Sequence, residues 1–407
     1  MKQFFFIAAF FTPLLSTSQA VVINQTDNTV NLANHSYYVE DEQGKLTRQE
    51  VLKKEKLGEF KKITAPVINF GVTASAFWIK CNIKNETNEK LLAELGNTTL
   101  TDIQLYEIDS SGGLVAKHVS GNWQPFRQRE TGDVNYQFQL SAQPHRTETL
   151  LLRVLHYRGT QFPFTAGTKE AFYRTSNSRS LFEGMYYGLM LLMVLYNLFI
   201  YLSLKDNSYL FYVLYVFFMG FFNAVISGYA FKFLWPSAPY LNQYAEILAC
   251  LTGVSGFLFA MYFLQTRQNT PLLHKLFWVM LSAYIANAVI IVSGYFMLGD
   301  QLLGIISISS VLLLLITGHS VLQKGYEPAR YFLVAWSVLL VSVVIFILKD
   351  YNLVPYNSTT RHSMQIGSAL EALLLSLALA NRINVLKKEK EEAHLETLRS
   401  LEENKRL

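Results

Sequence analysis

Glu371 is a carboxylate in the middle of an apolar run, within Gly367-Ser368-Ala369-Leu370-Glu371-Ala372. An ionisable group in hydrocarbon is costly and turns toward the interior of a helix bundle. The small residues around it let a neighbouring helix approach closely. The first expectation is that Glu371 pairs with another buried polar group and so holds or switches the bundle. The second is that it binds an ion or a proton. Asn197, Asn223, Glu246, Asn287 and His319 stand in other apolar runs with the same two options, Glu246 near enough to a run's end to be interfacial, and Arg382 closes the last run. A retinal Schiff base needs a lysine in a late helix, and the last run has none before Lys387.

A second set lies in the polar front half. Trp123, Phe126 and Tyr157 offer ring faces on which a sugar can stack, and Arg127, Arg129, Arg153 and Arg158 offer guanidiniums to grip an anion. Aromatic residues on strands are usually core, which is the reading for Trp78 between Phe77 and Ile79. Trp123 follows Gly121-Asn122 in a loop-like stretch, where core and ligand contact stay equally open. His35, His118, His145 and His156 are scattered without zinc-ligand spacing, and no Ser or Cys nucleophile motif stands among them. The expectation is a protein that is not an enzyme, with no catalytic residue, metal or cofactor.

Two kinds of scaffold must position these residues. From Leu181 to Leu386 seven long apolar segments follow one another, near 181–204, 209–231, 241–264, 275–297, 302–323, 330–348 and 363–386. A bilayer core about 30 Å thick takes about 20 apolar helical residues, so each is a membrane span. Before them, alternating runs near Phe77–Ile83, Leu91–Leu95, Asp102–Ile108, Tyr136–Leu140 and Thr149–His156 are separated by Asn85-Glu86-Thr87-Asn88, Gly96-Asn97, Ser110-Ser111-Gly112-Gly113 and Thr131-Gly132-Asp133. Period two between turn-forming sets predicts an antiparallel β-sandwich over 21–175. The first twenty residues, with Lys2, the apolar Phe4 to Leu15 and Ser18-Gln19-Ala20, read as a secretory signal, which puts the sandwich outside the inner membrane. Seven spans then leave the C-terminus in the cytoplasm. Lys205, Arg267, Lys275, Lys324, Arg330, Arg382, Lys387, Lys388 and Lys390 fall on that side, against Lys232, Lys349 and Arg361 opposite. Two cysteines, Cys81 and Cys250, are too few and too separated for a disulfide framework. A net charge of +5 with no basic stretch interleaved with aromatics excludes a nucleic-acid partner from the expectation.

Several stretches are similar to the bacterial seven-transmembrane receptors with diverse intracellular signalling modules, the DISM receptors. They are Gly184-Met185-Tyr186-Tyr187-Gly188 running into Leu195-Tyr196-Asn197-Leu198, then Ser208-Tyr209-Leu210-Phe211-Tyr212, Ala329-Arg330-Tyr331-Phe332 with Trp336, and Gly367 to Ile383. The last, with Glu371, Leu375-Ser376-Leu377-Ala378-Leu379-Ala380 and Asn381-Arg382-Ile383, is the most specific. Phe77-Trp78, Leu105-Tyr106, Gly121 to Arg129 and Leu152-Arg153-Val154 resemble the family's exported sandwich. The resemblance implies a jelly-roll exported domain akin to carbohydrate-binding modules, a sensed ligand, and helices that relay the event inward.

Members of that family commonly continue into a cyclase, kinase or phosphatase domain. Here residues 387–407 read as a charged cytoplasmic helix or coiled-coil stub, with heptad-like positions at Ile383, Leu386 and Ala393. His394 is read as part of its solvated face.

The expected function is a receptor of the bacterial inner membrane. It takes a periplasmic small molecule or saccharide, contacts membrane lipid, and signals to a cytoplasmic protein supplied in trans, with a homodimer as a further expectation. The alternatives are a transporter or ion-translocating protein built on Glu371 and the other buried polar groups, and a membrane-anchored accessory subunit that captures a saccharide.

Overall fold

The computed structural model describes residues 20–25, 29–157, 159–350, 353–355 and 357–406. The segment read as a signal, up to residue 19, and Arg158 lie outside them. The strands are β1 (Val21–Ile23), β2 (Val30–Asn31), β3 (Tyr37–Asp41), β4 (Lys61–Lys62), β5 (Ile68–Val72), β6 (Ala76–Asn85), β7 (Leu91–Leu95), β8 (Asp102–Ile108), β9 (Leu114–Ser120), β10 (Tyr136–Gln139), β11 (Thr147–Leu155), β12 (Gly159–Phe162) and β13 (Phe164–Thr168). One sheet runs β4-β3-β6-β11-β8-β9 with β1 parallel to β6, a second runs β10-β7-β13-β2, and β12 pairs with β5.

Period two places the core. On β6, Ile79, Cys81 and Ile83 enter the layer between the sheets, where they meet Leu105, Leu150, Leu152 and Val154 from the same sheet and Leu91, Ala93, Phe138 and Phe164 from the other. The opposite face of the large sheet is covered by a helix over Arg48–Lys56, whose Thr47–Glu50 capping box fixes its start. Under it Trp78 packs with Val39, Val51, Tyr106 and Leu151. Arg153 points to this face too, ion-paired to Asp102 at 2.7 Å and donating to the Gly44 carbonyl at 3.0 Å.

A polar latch ties the free edges of the two sheets. On β9, His118 Nε2 lies 2.8 Å from Glu107 and its Nδ1 2.6 Å from Glu130. The second oxygens of these carboxylates accept from Ser141 N and Gln139 N, both at 2.7 Å. Burial of the ring opposes its charged form, but the bonds and charges of the two glutamates outweigh this and raise His118 to about 9. Burial likewise opposes ionisation of Glu130, and the His118 bond, the Gln139 N–H and the His118 charge together outweigh it, holding that carboxyl below its ordinary value. A raised histidine pKa contributes stability that is complete below the unfolded value of about 6.5 and is lost as pH climbs through about 9. A lowered carboxylate contributes stability above its unfolded value that is lost on acidification. The thermal stability of the purified protein is therefore expected to fall between pH 7 and pH 10, and His118→Gln to flatten that slope. An unchanged slope in the variant would remove the latch from the account.

The seven spans are Lys169–Leu204, Asn207–Ile226, Pro239–Phe263, Pro271–Val292, Phe296–Gln323, Ala329–Lys349 and Ser363–Val385. Each packs on the next, and the seventh returns to the first and second, closing a ring in which the second and third, and the sixth and seventh, share the most extensive contacts. Gly367 makes the last pairing close, since a Cβ there would run into the Ser342 side chain of the sixth span. The first helix starts well before Leu181, capped by Thr168 accepting from Ala171 N. Its first turns are too polar to register as an apolar run. The seventh continues without a break as one helix from Ser363 to Arg406, 44 residues. The side chains of Leu386 and Ala393, two heptad positions, lie outside the described residues.

Candidate functional site

The β-domain sits directly on the outer ends of the spans. Thr98 Oγ1 donates to the Ile226 carbonyl at 2.5 Å, Phe126 N to the Pro236 carbonyl at 2.8 Å, and Asn242 Nδ2 to Asn122 Oδ1 at 2.8 Å. Gly228, at φ 81° just after the second span, meets Thr98 and Val134. A side chain there would be strained by the backbone and would crowd the joint.

At the middle of this joint the Arg129 guanidinium lies 4.2 Å from the Tyr136 ring centroid, 4.5 Å from that of Phe126 and 5.8 Å from that of Phe231. Phe231 belongs to the short helix Tyr229–Phe233 after the second span, and its ring meets Phe126 edge-on at 5.5 Å. Arg129 also donates to the Val134 carbonyl. Burial draws its pKa below the ordinary value, but an arginine keeps its charge at physiological pH. Phe126 and Arg129 are thus packed into the joint rather than open to a ligand.

Beside them lies a cavity of about 630 Å³ walled by both parts. The β-domain contributes Thr99, Thr101, Asn122, Trp123, His156 and Tyr157, and the bundle contributes Val225, Ile226, Ala245, Phe296, Met297 and Asp300 among others. Trp123 and Tyr157 pair at 5.8 Å between centroids and remain 47% and 37% exposed. His156 is buried and within 3.0 Å of Thr101 Oγ1. Trp123 and Tyr157 are therefore brought together here. Arg153 sits on the far face of the large sheet, and Arg127 is exposed on the Phe126–Gln128 turn.

From the joint a polar path enters the bundle. Arg179, on the first span, pairs with Asp133 at 2.7 Å and lies 3.6 Å from Glu94. One turn deeper, Glu183 accepts from Gln365 Nε2 of the seventh span at 3.0 and 3.1 Å. Below that Tyr186 meets Ser368 at 3.0 Å, and Tyr215 OH reaches both Glu371 oxygens, at 2.7 and 2.9 Å. Tyr212 donates to the Ala372 carbonyl, Asn197 to Ser376 at 3.2 Å, and Tyr209 to the Leu379 carbonyl. At the inner end Arg382 bonds Ser208 and lies 3.3 Å from Asp206, which caps the second span. Gln365, Ser368, Ala372, Ser376, Leu379 and Arg382 follow spacings of three and four, one stripe of a helix, with Glu371 beside Ala372 at its edge. The first and second spans are thus laced to the seventh over its full depth.

The remaining polar residues do other work. Asn287 joins the fourth and fifth spans through the Gly299 carbonyl at 3.1 Å. Asn223 caps back onto the Met219 carbonyl of its own helix, Glu246 is buried at the outer end of the third span, and His319 faces outward against Gln323. Sequence reasoning did not single out Tyr215, Tyr212, Tyr209, Glu183 or Gln365 as site residues. The signal that finds them is periodic: three tyrosines at intervals of three on one span, and polar residues at matching intervals on another. Among the described residues no group of three or more His, Cys, Asp or Glu converges as a metal site would require.

Two family models match the chain. The model for the 7TM diverse intracellular signalling domain covers residues 179–382, and that for the 7TMR-DISM extracellular 2 domain covers 33–168. No curated protein matches. Among solved structures, the GH31 alpha-xylosidase of Xanthomonas citri aligns at 14% identity over 32% of this chain and 13% of its own length, with a TM-score of 0.18, and carries no weight for fold or activity. An extracellular β-domain followed by seven membrane spans, both matched by the models of one family, makes this chain a member of the seven-transmembrane receptors with diverse intracellular signalling.

Proposed function

We propose that this receptor senses a small molecule at the joint between the β-domain and the outer ends of the spans, and that the seventh span carries the change to a signalling protein at its inner end. The observation that carries this reading is the polar stripe: the seventh helix is bonded to the first and second spans from Gln365, beside the joint, to Arg382, and then runs on to Arg406 as the same helix. A ligand shifts such a device only by binding one arrangement better than another. A cavity shared by two bodies supplies that difference, because any change in how the bodies dock alters its walls. The Trp123–Tyr157 pair supports a ligand with a flat or ring-shaped face, such as a saccharide.

The orientation that fits is an inner-membrane one, with the β-domain in the periplasm. Lys205, Arg267, Lys324 and Arg330 all lie at or near the turns remote from the β-domain, as positive residues do on the cytoplasmic side.

The test screens glycans and metabolites by thermal shift against the full chain in lipid nanodiscs. Hydrogen exchange with each hit is then followed at the 121–125 loop and at 376–390. A hit is expected to protect the loop and to change exchange at the inner end of the seventh helix by about fivefold or more, a coupling of the usual allosteric size. Protection of the loop with no change at 376–390 would overturn the relay.

A further inference from the structure

The cavity at the joint is two-faced, and this decides what fits it. Its β-domain wall presents the Trp123 and Tyr157 rings with Asn122 and Thr101, groups that stack on and hydrogen-bond to a hydroxylated ring. Its bundle wall presents carbon from Val225, Ile226, Phe296 and Met297, at the end of the second span and the start of the fifth, with Gln243, Asp300 and Gln301 at its polar edge. Those span ends mark the boundary between hydrocarbon and water. Phe233, Leu234, Tyr240 and Tyr295 stand exposed at the same level, 61–69% open, as residues do in the interfacial belt of a membrane protein. A free sugar would leave the Ile226, Phe296 and Met297 carbon facing water, and a pure hydrocarbon would desolvate the polar groups of Gln243, Asp300 and Gln301.

We infer that the cavity takes an amphiphile. A hydroxyl-bearing head lies against Asn122, Trp123 and Tyr157, and a short apolar tail lies against Ile226, Phe296 and Met297. This rests on the reading of the joint as the sensing site and adds the chemical class of what is sensed. The cavity lies between span ends, the level where such molecules concentrate, so the ligand reaches the site along the membrane surface. A volume of about 630 Å³ holds a single sugar-sized head with a short chain.

The experiment uses the full chain in phosphatidylcholine nanodiscs and three probes: octyl glucoside below its micellar concentration, glucose, and octanol. Trp123 fluorescence is taken as the difference between the protein and Trp123→Phe. Octyl glucoside is expected to give a saturable change at a concentration about tenfold or more below that of either fragment, because each buried methylene adds favourable transfer energy. Met297→Ser, at an exposed position, is expected to weaken octyl glucoside about threefold and to leave glucose unchanged. Equal potency of glucose and octyl glucoside would overturn the amphiphile while leaving the joint as a soluble-sugar site. Equal potency of octanol would reduce the effect to partitioning. A response of full size in Trp123→Phe, or no saturable response to any probe, would remove the ligand from this cavity.

Discussion

Glu371→Ala is expected to destabilise the receptor by about 3 kcal/mol, seen as a fall of about 5–10 °C in the thermal transition of the protein in detergent micelles. The carboxylate is fully buried, and the substitution removes both its volume and the acceptor of the Tyr215 hydroxyl. Tyr215→Phe removes only the donor and leaves the carboxylate without it, a cost of about 1–3 kcal/mol. The two residues act as one unit, so the double variant should lose clearly less than the sum of the two single losses. Simple additivity would show that the Tyr215–Glu371 contact contributes nothing of its own. Glu371→Gln keeps an acceptor of the same shape and should recover most of the thermal stability.

Arg129→Ala is expected to loosen the β-domain from the bundle. The guanidinium is stacked among Phe126, Tyr136 and Phe231, so the substitution opens a hole exactly where the two parts meet and strips a donor from Val134. The cost is about 2–4 kcal/mol. It should appear as faster hydrogen exchange in 126–134 and in the 227–244 loop together, with the cores of β6 and β11 unaffected. Arg129→Lys should not rescue it, because an ammonium lacks the flat face that three rings enclose. Faster exchange confined to 126–134 would show that Arg129 holds only its own loop.

The seven spans are legible because hydrocarbon thickness imposes a length, β6, β8 and β11 because a partly exposed strand imposes alternation over part of its length, and β7 and β10 because short runs between turn-forming sets read as strands even when buried almost throughout. The edge strand β9 is not: Leu114, Val115 and Val119 are exposed on a strand with one neighbour, so no buried face writes a pattern into it. The capped helix at Arg48–Lys56 is short and mostly polar, and only Val51 is deeply buried. At the site, Glu371 stands out because a carboxylate in an apolar run is chemically conspicuous. Tyr215 does not, since a tyrosine there looks like any other large apolar residue. Arg129 and Phe126 looked like ligand contacts for a related reason. Nothing local to Pro125-Phe126-Arg127 tells which surface of the β-domain will meet the loops of the bundle, and Phe231 lies about a hundred positions away.

The unbroken helix from Ser363 to Arg406 is about 66 Å long, and its last 21 residues reach about 30 Å past the end of the seventh span. A rod of that kind has no joint at which to absorb a displacement. Because its bonds to the first and second spans follow the helical thread, a slip by one residue couples a rise of about 1.5 Å to a turn of about 100°. At the far end such a slip is an angle as much as a distance: even a small slide presents a different face of the tail.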